Sequence, residues 1–299
     1  MSQNVLVELS DALADAAEKA GKATVLVNAR RRMPASGIVY APDLILTADH
    51  IVEREDDIKV TLADGTEISA KVAGRDAGSD LAVLKLERPI DNVAEVTKSP
   101  ARLGQIALLL GRPTPDGIEA SLGTVSAIGG PIRTGRGGML ERYIRTDSIS
   151  YPGFSGGPLV AADGTVLGIN TSGLTNGAAI TIPADIALKV ADALVKDGRI
   201  KRGYLGIRSQ PVEISAPAQK SLKREQATGL LIVGVENNSP ASKGGLMVGD
   251  ILVAVAGAPV LHHDELFTQL NGDVAGNSTP IEVLRGGQPQ TLNVQVGER

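Results

Sequence analysis

Gly153-Phe154-Ser155-Gly156-Gly157-Pro158 sets a serine inside a glycine-rich turn. Glycine on both sides of Ser155 permits a sharp backbone path that projects the hydroxyl outward. It also lets the amides of Gly153 and Ser155 converge on one point, where a carbonyl oxygen gaining negative charge would be held. The chemistry this turn suits is attack by Ser155 on a carbonyl, with Gly153 and Ser155 as the oxyanion hole. A serine hydroxyl is a weak nucleophile until a base takes its proton. The chain must therefore supply a base, and a third group to orient it.

Two upstream segments carry candidates. Leu44-Ile45-Leu46-Thr47-Ala48-Asp49-His50-Ile51 is an apolar strand running into a Thr-Ala-x-His step. Ser79-Asp80-Leu81-Ala82-Val83-Leu84 places an aspartate at the start of a second apolar strand. His50 is then the general base, and Asp80 orients its imidazole and stabilises the imidazolium. Each residue alone reads equally well as a surface His, a turn Asp or a turn Ser. The order His, Asp, Ser is that of the chymotrypsin fold, not of subtilisin or the α/β-hydrolases.

The elements that must position these groups follow from composition and periodicity. With 299 residues the chain is long enough for two domains. Aromatics are 2% and Trp is absent, so the core must be built from Val, Ile, Leu and Ala. The net charge of −4 gives no electrostatic case for nucleic acid as the main partner. With no Cys there are no disulfides, thiolate metal sites or cysteine nucleophile. No segment is long and apolar enough to span a membrane. The first residues lack a basic region followed by a long apolar one, so the chain as written reads as cytoplasmic, or as extracytoplasmic if a signal has been removed.

Residues 1–22 read as an amphipathic helix docked on the first barrel, with a subunit contact as the alternative. Residues 23–183 read as short strands broken by turns, with a hairpin at Asp64-Gly65. The fold class expected is mainly β, a chymotrypsin-like double β-barrel. A Gly-rich loop between Gly129 and Glu141 reads as solvated, with Arg133 and Arg136 as weak candidates for phosphate. Residues 184–202 read as a helical connector ending near Asp197-Gly198. Residues 203–299 form a small α+β unit. Its opening, Gly203-Tyr204-Leu205-Gly206-Ile207, can direct amides at a carboxylate ahead of a strand that accepts a peptide. His262, His263 and Asp264 do not make a metal site, because neighbours on a helix do not share a face. No metal or cofactor is expected.

Together these residues resemble the HtrA/Deg serine proteases, one protease domain followed by one PDZ domain. Ser36 to Val39 is similar to the family's first barrel strand, and Thr47 to His50 to its histidine motif. Pro152 to Val160 resembles the nucleophile region, and Gly168-Ile169-Asn170-Thr171 the strand beside the specificity pocket. Arg202 to Ile207 and Ser239-Pro240-Ala241 with Gly249-Asp250 resemble the PDZ marks. The resemblance implies ATP-independent protein quality control: cleavage of unfolded proteins after small aliphatic residues, assembly as homotrimers, and a PDZ domain that binds peptide C-termini and regulates activity. It implies a pocket of Ile149, Ser150 and Leu174, a carboxylate loop of Tyr204, Leu205, Gly206 and Ile207, and a groove beside Leu266 and Leu270. The Gly129–Glu141 loop is the candidate relay from bound peptide to the turn at Gly153.

The chain departs from the family in Phe154, usually Asn or Asp, in Ser150-Tyr151, and in Arg112 to Gly117. Two other functions remain open at this point. One is a protease-fold chaperone or peptide-binding scaffold without turnover. The other is a nucleic-acid factor using Arg133, Arg136 and Arg142, which the net charge disfavours.

Overall fold

The computed structural model describes residues 4–135, 138–175, 179–270, 272 and 274–298. The chain divides into two units, Met1–Ile200 and Lys201–Arg299. The first holds two closed six-stranded barrels. Barrel one contains β1 (Thr24–Asn28), β2 (Ala35–Ala41), β3 (Leu44–Ala48), β4 (Ile58–Thr61), β5 (Glu67–Asp76) and β6 (Leu81–Leu86), in spatial order β1-β2-β3-β6-β5-β4. Its core is Val, Ile, Leu and Ala, including Val25, Val39, Ile45, Ile58 and Leu84. Asp64 and Gly65 make the expected turn between β4 and β5.

Barrel two follows as β7 (Ile106–Thr114) and β8 (Gly117–Gly129). A hairpin of β9 (Ile132–Arg133) and β10 (Met139–Leu140) comes next, outside the barrel. β11 (Tyr143–Thr146), β12 (Pro158–Ala161), β13 (Val166–Thr171) and β14 (Ile180–Pro183) close the barrel in the order β11-β14-β13-β12-β7-β8. The segment read as a solvated loop is thus partly a hairpin. Arg136 lies outside the described residues.

Two helices pack on this unit, and both differ from expectation. α1 (Val5–Gly21) starts with Asn4, whose side chain accepts from the amide of Leu6. It packs mainly on β12 and β7 of the second barrel, through Ala16 and Ala20 beside Leu108 and Val160. Its last carbonyl, and that of Thr24 opening β1, are held from that barrel. Arg112, 6% exposed, donates to Gly21 O and Thr24 O, a favourable place for a cation. Burial pulls the Arg112 guanidinium below its ordinary range. α2 (Ala184–Asp197) ends at left-handed Gly198, whose amide bonds Leu194 O. Read as a connector, it instead belongs to the first unit: Ala187, Ala191 and Leu194 sit in the same core as Leu81 and Ile182. Its apolar stripe had a barrel to cover.

The second unit runs β15 (Gly203–Tyr204), β16 (Ile207–Glu213), α3 (Ala216–Leu222), β17 (Thr228–Val235), α4 (Pro240–Lys243), β18 (Ile251–Val255), β19 (Ala258–Pro259), α5 (His263–Gln269), β20 (Ser278–Arg285), β21 (Gln288–Gln295) and β22 (Gly297–Glu298). β16 is the edge of a sheet ordered β16-β17-β18-β20-β21. α3 is absent from the sequence reading. Its signal is Ser215 with a proline in the first turn, followed by Ala218 and Leu222, which are buried against Val253.

Candidate active site

The short helical turn Asp49–Ile51 follows β3 and carries His50. Its position is set by the loop before β6. Asp49 N donates to Asp80 O at 3.0 Å, and His50 N donates to Asp80 Oδ1 at 2.9 Å. The other carboxylate oxygen, Oδ2, lies 2.7 Å from His50 Nδ1. Asp80 is fully buried, so its charge depends on these donors. A further donor is the Thr171 hydroxyl at the end of β13, which also accepts from Gly173 N at 2.9 Å. Gly173 is required there, because a Cβ would lie 2.4 Å from Asp80 Oδ2 and 2.6 Å from His50 Nδ1.

The sequence shows Thr171 only as the end of the strand beside the specificity pocket and does not single out Gly173, and the support of Asp80 by either is not foreseen from it. The available signal was a Thr-Ser-Gly step closing an apolar strand, which has meaning only once that strand lies against the Asp80 loop. The β9–β10 hairpin touches the same region. Thr134 donates to Gly78 O at 2.8 Å, and Gly135 N to Leu174 O at 3.3 Å. Its contacts are thus at the Asp80 side, where the expectation was a relay to Gly153.

Ser155 sits in the turn before β12, 8% exposed. Barrel one holds this turn from across the cleft. Ser36 N donates to Ser155 O at 3.2 Å, and the Ser36 hydroxyl donates to Gly153 O at 2.7 Å. Gly153 has φ +88°, which glycine adopts without strain. Its carbonyl is occupied by Ser36. The amides of Gly153 and Ser155 have no acceptor among the described residues. The Ser155 hydroxyl is 3.2 Å from that of Ser172, another residue sequence reasoning passed over.

His50, Gly153 and Ser155 line one cleft of about 760 Å³. Ser150, Asn170, Thr181 and Leu109 line it too, and Asn170 Nδ2 donates to Ser150 Oγ at 2.9 Å. Two pocket expectations need correction. Ile149 is 59% exposed and does not line the cleft; its amide is fixed by Ser121 Oγ at 2.8 Å. Leu174 is 2% exposed and packs into the first unit's core. Alternation along the segment after β11 gives the cleft Ser148 and Ser150 and leaves Ile149 between them facing solvent.

In the second unit, Leu205 O accepts from Ala241 N and Gly206 O from Glu236 N, at 2.8 and 2.9 Å. These bonds fix the loop by its carbonyls. The amides of Leu205 and Gly206 have no acceptor among the described residues. Tyr204 donates through its hydroxyl to Glu236. Ile207 opens the edge strand β16. Leu266 and Leu270 are buried in the unit's core. His263 at the start of α5 reaches Ser209 O on β16 with Nε2, at 3.1 Å, so it bridges the helix and the edge strand. No cluster of three or more His, Cys, Asp or Glu among the described residues is placed to hold a metal.

Comparison with known proteins covers both units. Residues 35–169 match the trypsin-like peptidase domain, and residues 203–296 match the PDZ domain. A probable periplasmic serine endoprotease, DegP-like, of Pseudomonas putida (strain GB-1) is 35% identical over 271 residues, 88% of this chain and 55% of that protein. One of Rhizobium meliloti (strain 1021) is 34% identical over 276 residues, 90% of this chain and 54% of that protein. The chain spans about half the length of these relatives. Among solved structures, the HtrA-type protease AlgW with a tripeptide is 30% identical with TM-score 0.79, covering 96% of this chain and 97% of that one. The serine endoprotease from Yersinia pestis is 29% identical with TM-score 0.79, covering 96% and 98%.

Proposed function

The chain belongs to the HtrA-type serine proteases, and from that premise we propose that it is an active serine endopeptidase acting on unfolded polypeptides. The observation that carries the reading is the Asp80–His50 pair, joined at 2.7 Å and opening onto the cleft that holds Ser155. His50 Nε2 accepts the Ser155 proton as Oγ attacks the peptide carbonyl, then returns it to the leaving amine. The Ser155 hydroxyl exchanges its contact with Ser172 for His50 to begin. The developing oxyanion takes the amides of Gly153 and Ser155. Buried Asp80, with Thr171 donating to it, holds the imidazole in one tautomer. The scaffold reading has weaker support, since no group of the reaction is missing. Labelling of Ser155 by an uncharged serine-directed phosphonate, together with digestion of casein without ATP, tests the choice. An unlabelled, inert chain would favour the scaffold.

The cleavage map is a second check. Ser150, Asn170 and Thr181 leave room for a small side chain and supply no carboxylate for a buried cation. Ala, Val, Ser and Thr are expected before the cut bond. A map dominated by Lys and Arg would refute the pocket assignment.

The second unit supports a peptide-binding role. We assign the amides of Leu205, Gly206 and Ile207 to a peptide's terminal carboxylate, with the peptide added as a strand beside β16. Bound peptide then regulates proteolysis. A peptide ending in a free apolar residue should bind at least tenfold more tightly than its C-terminal amide, about the worth of one charge-assisted hydrogen bond. Equal affinities would remove the carboxylate loop. Val5, Leu6 and Val7 are exposed on the first turn of α1, which suits self-association, as a homotrimer by family likeness. No helix among the described residues is long and apolar enough to cross a membrane. The relatives' names favour an extracytoplasmic location over the cytoplasmic one first expected.

A further inference from the structure

Three arginines, Arg30, Arg32 and Arg145, line the cleft that holds His50 and Ser155, and no Asp or Glu is among its lining residues. The excess is local and opposite in sign to the chain, whose net charge is −4. None of the three has an ion-pair partner among the described residues. Arg30 donates to the backbone carbonyls of Met33 and Pro34 at 2.6 and 3.4 Å, which fixes the group without neutralising it. Arg145 lies 5.5 Å from the centre of the Tyr143 ring, a contact that leaves its outer nitrogens free for a ligand. Asp80 does not offset them. It is fully buried and engaged by His50 and Thr171.

The arginines reach this cleft from both barrels. Arg30 and Arg32 stand on the loop between β1 and β2, and that loop leads into Ser36, which holds Gly153 and Ser155. Arg145 stands on β11 of the other barrel, which leads through Ser150 into the nucleophile turn. A polypeptide bound in this cleft at Ser155 shares its walls with them. A neutral or basic segment would leave these cations partly desolvated and unpaired, whereas an acidic one meets them.

We propose that this cleft selects peptide segments carrying Asp or Glu on either side of the scissile bond, read by Arg30, Arg32 and Arg145. The proposal rests on the endopeptidase reading above and narrows its substrate class. Guanidinium groups suit carboxylates because their planar donors match two oxygens at once. Because the contacts are exposed, the preference must weaken as salt shortens the reach of the charges.

The test uses three internally quenched peptides blocked at both ends, so that no terminal carboxylate contributes. They share one small residue at the cut bond and carry Asp/Glu, Ser/Gln or Lys/Arg on both flanks. Phosphonate labelling of Ser155 accompanies every sample. At low salt the acidic peptide should exceed the neutral one in kcat/KM by about tenfold, the combined worth of a few exposed ion pairs. The ratio should shrink at high salt and invert toward the basic peptide in R32E/R145E. If the double variant does not fold, Arg32→Gln and Arg145→Gln carry the test singly, each lowering the ratio severalfold. A labelled enzyme that cuts all three peptides equally overturns the proposal and leaves the endopeptidase reading intact, as does a ratio unchanged by the substitutions. Absence of labelling overturns both. An oligonucleotide that blocks labelling more strongly than the acidic peptide overturns the proposal by assigning the arginines to phosphate.

Discussion

Ser155→Ala is expected to abolish casein digestion, with turnover falling on the order of 10⁶-fold, while the unfolding midpoint stays at that of the wild type. The two halves of this expectation come from different atoms. Turnover depends on Oγ, which no other group near His50 replaces in kind. Ser172 carries a hydroxyl 3.2 Å from Ser155 Oγ, but it lies just past the end of β13 and not on the turn whose amides await the oxyanion. Stability depends on the backbone, which alanine keeps: Ser155 O still accepts from Ser36 N, and Gly156 N still donates to Asn170 O at 2.8 Å. The residues act as a unit, so adding His50→Ala to Ser155→Ala should cost almost nothing more. Digestion rates and urea unfolding of both variants decide it. Wild-type proteolysis by Ser155→Ala would remove the assignment. A further large loss in the double variant would mean that Ser172 or another group serves as a second nucleophile.

What was legible in the sequence was what local pattern encodes. His50, Asp80 and Ser155 each close or open an apolar strand, and strand ends are where a barrel places its functional groups. The Asp64-Gly65 turn and the left-handed Gly198 are set by their own φ preferences, so they too could be read directly. What was not legible was what a residue meets in space. Thr171 and Gly173 matter because β13 ends against the loop of Asp80, and nothing within Thr-Ser-Gly says so. The helix at 184–197 has a clear apolar stripe, but a stripe does not name its partner, and the first unit's core claimed it. Ile149 illustrates the opposite error. The family resemblance placed it in the pocket, yet a shift of one residue in an extended segment exchanges cleft for solvent. Arg145 went unremarked as a cation beside Ser155, because charge along a strand acquires direction only when the barrel closes.

Phe154→Ala is expected to destabilise the chain by about 3–5 kcal/mol, the usual loss for removing a buried aromatic side chain. Phe154 is fully buried and is one of the largest such side chains in the chain. Its ring lies among Leu109, Val125, Ile144, Leu159 and Leu167 and meets Tyr151 edge-on at 5.4 Å. Gly111 makes room for it, since a Cβ there would lie 2.5 Å from the ring. The family usually carries Asn or Asp at this place, in the turn that holds the oxyanion amides. In this core an apolar ring suits the place. The ring anchors the residue between Gly153 and Ser155, and a polar side chain would be stranded among apolar neighbours. Phe154→Asn, although it restores the family's usual residue, should therefore be at least as damaging as Phe154→Ala, because it adds an unsatisfied buried amide to the cavity. Urea unfolding checks the order, with phosphonate labelling reporting whether the turn remains formed in the folded fraction. If Phe154→Asn kept the wild-type midpoint and labelling rate, the turn would be held by its hydrogen bonds to Ser36 and Asn170 without the ring, and the anchor assigned to the ring would have to be abandoned.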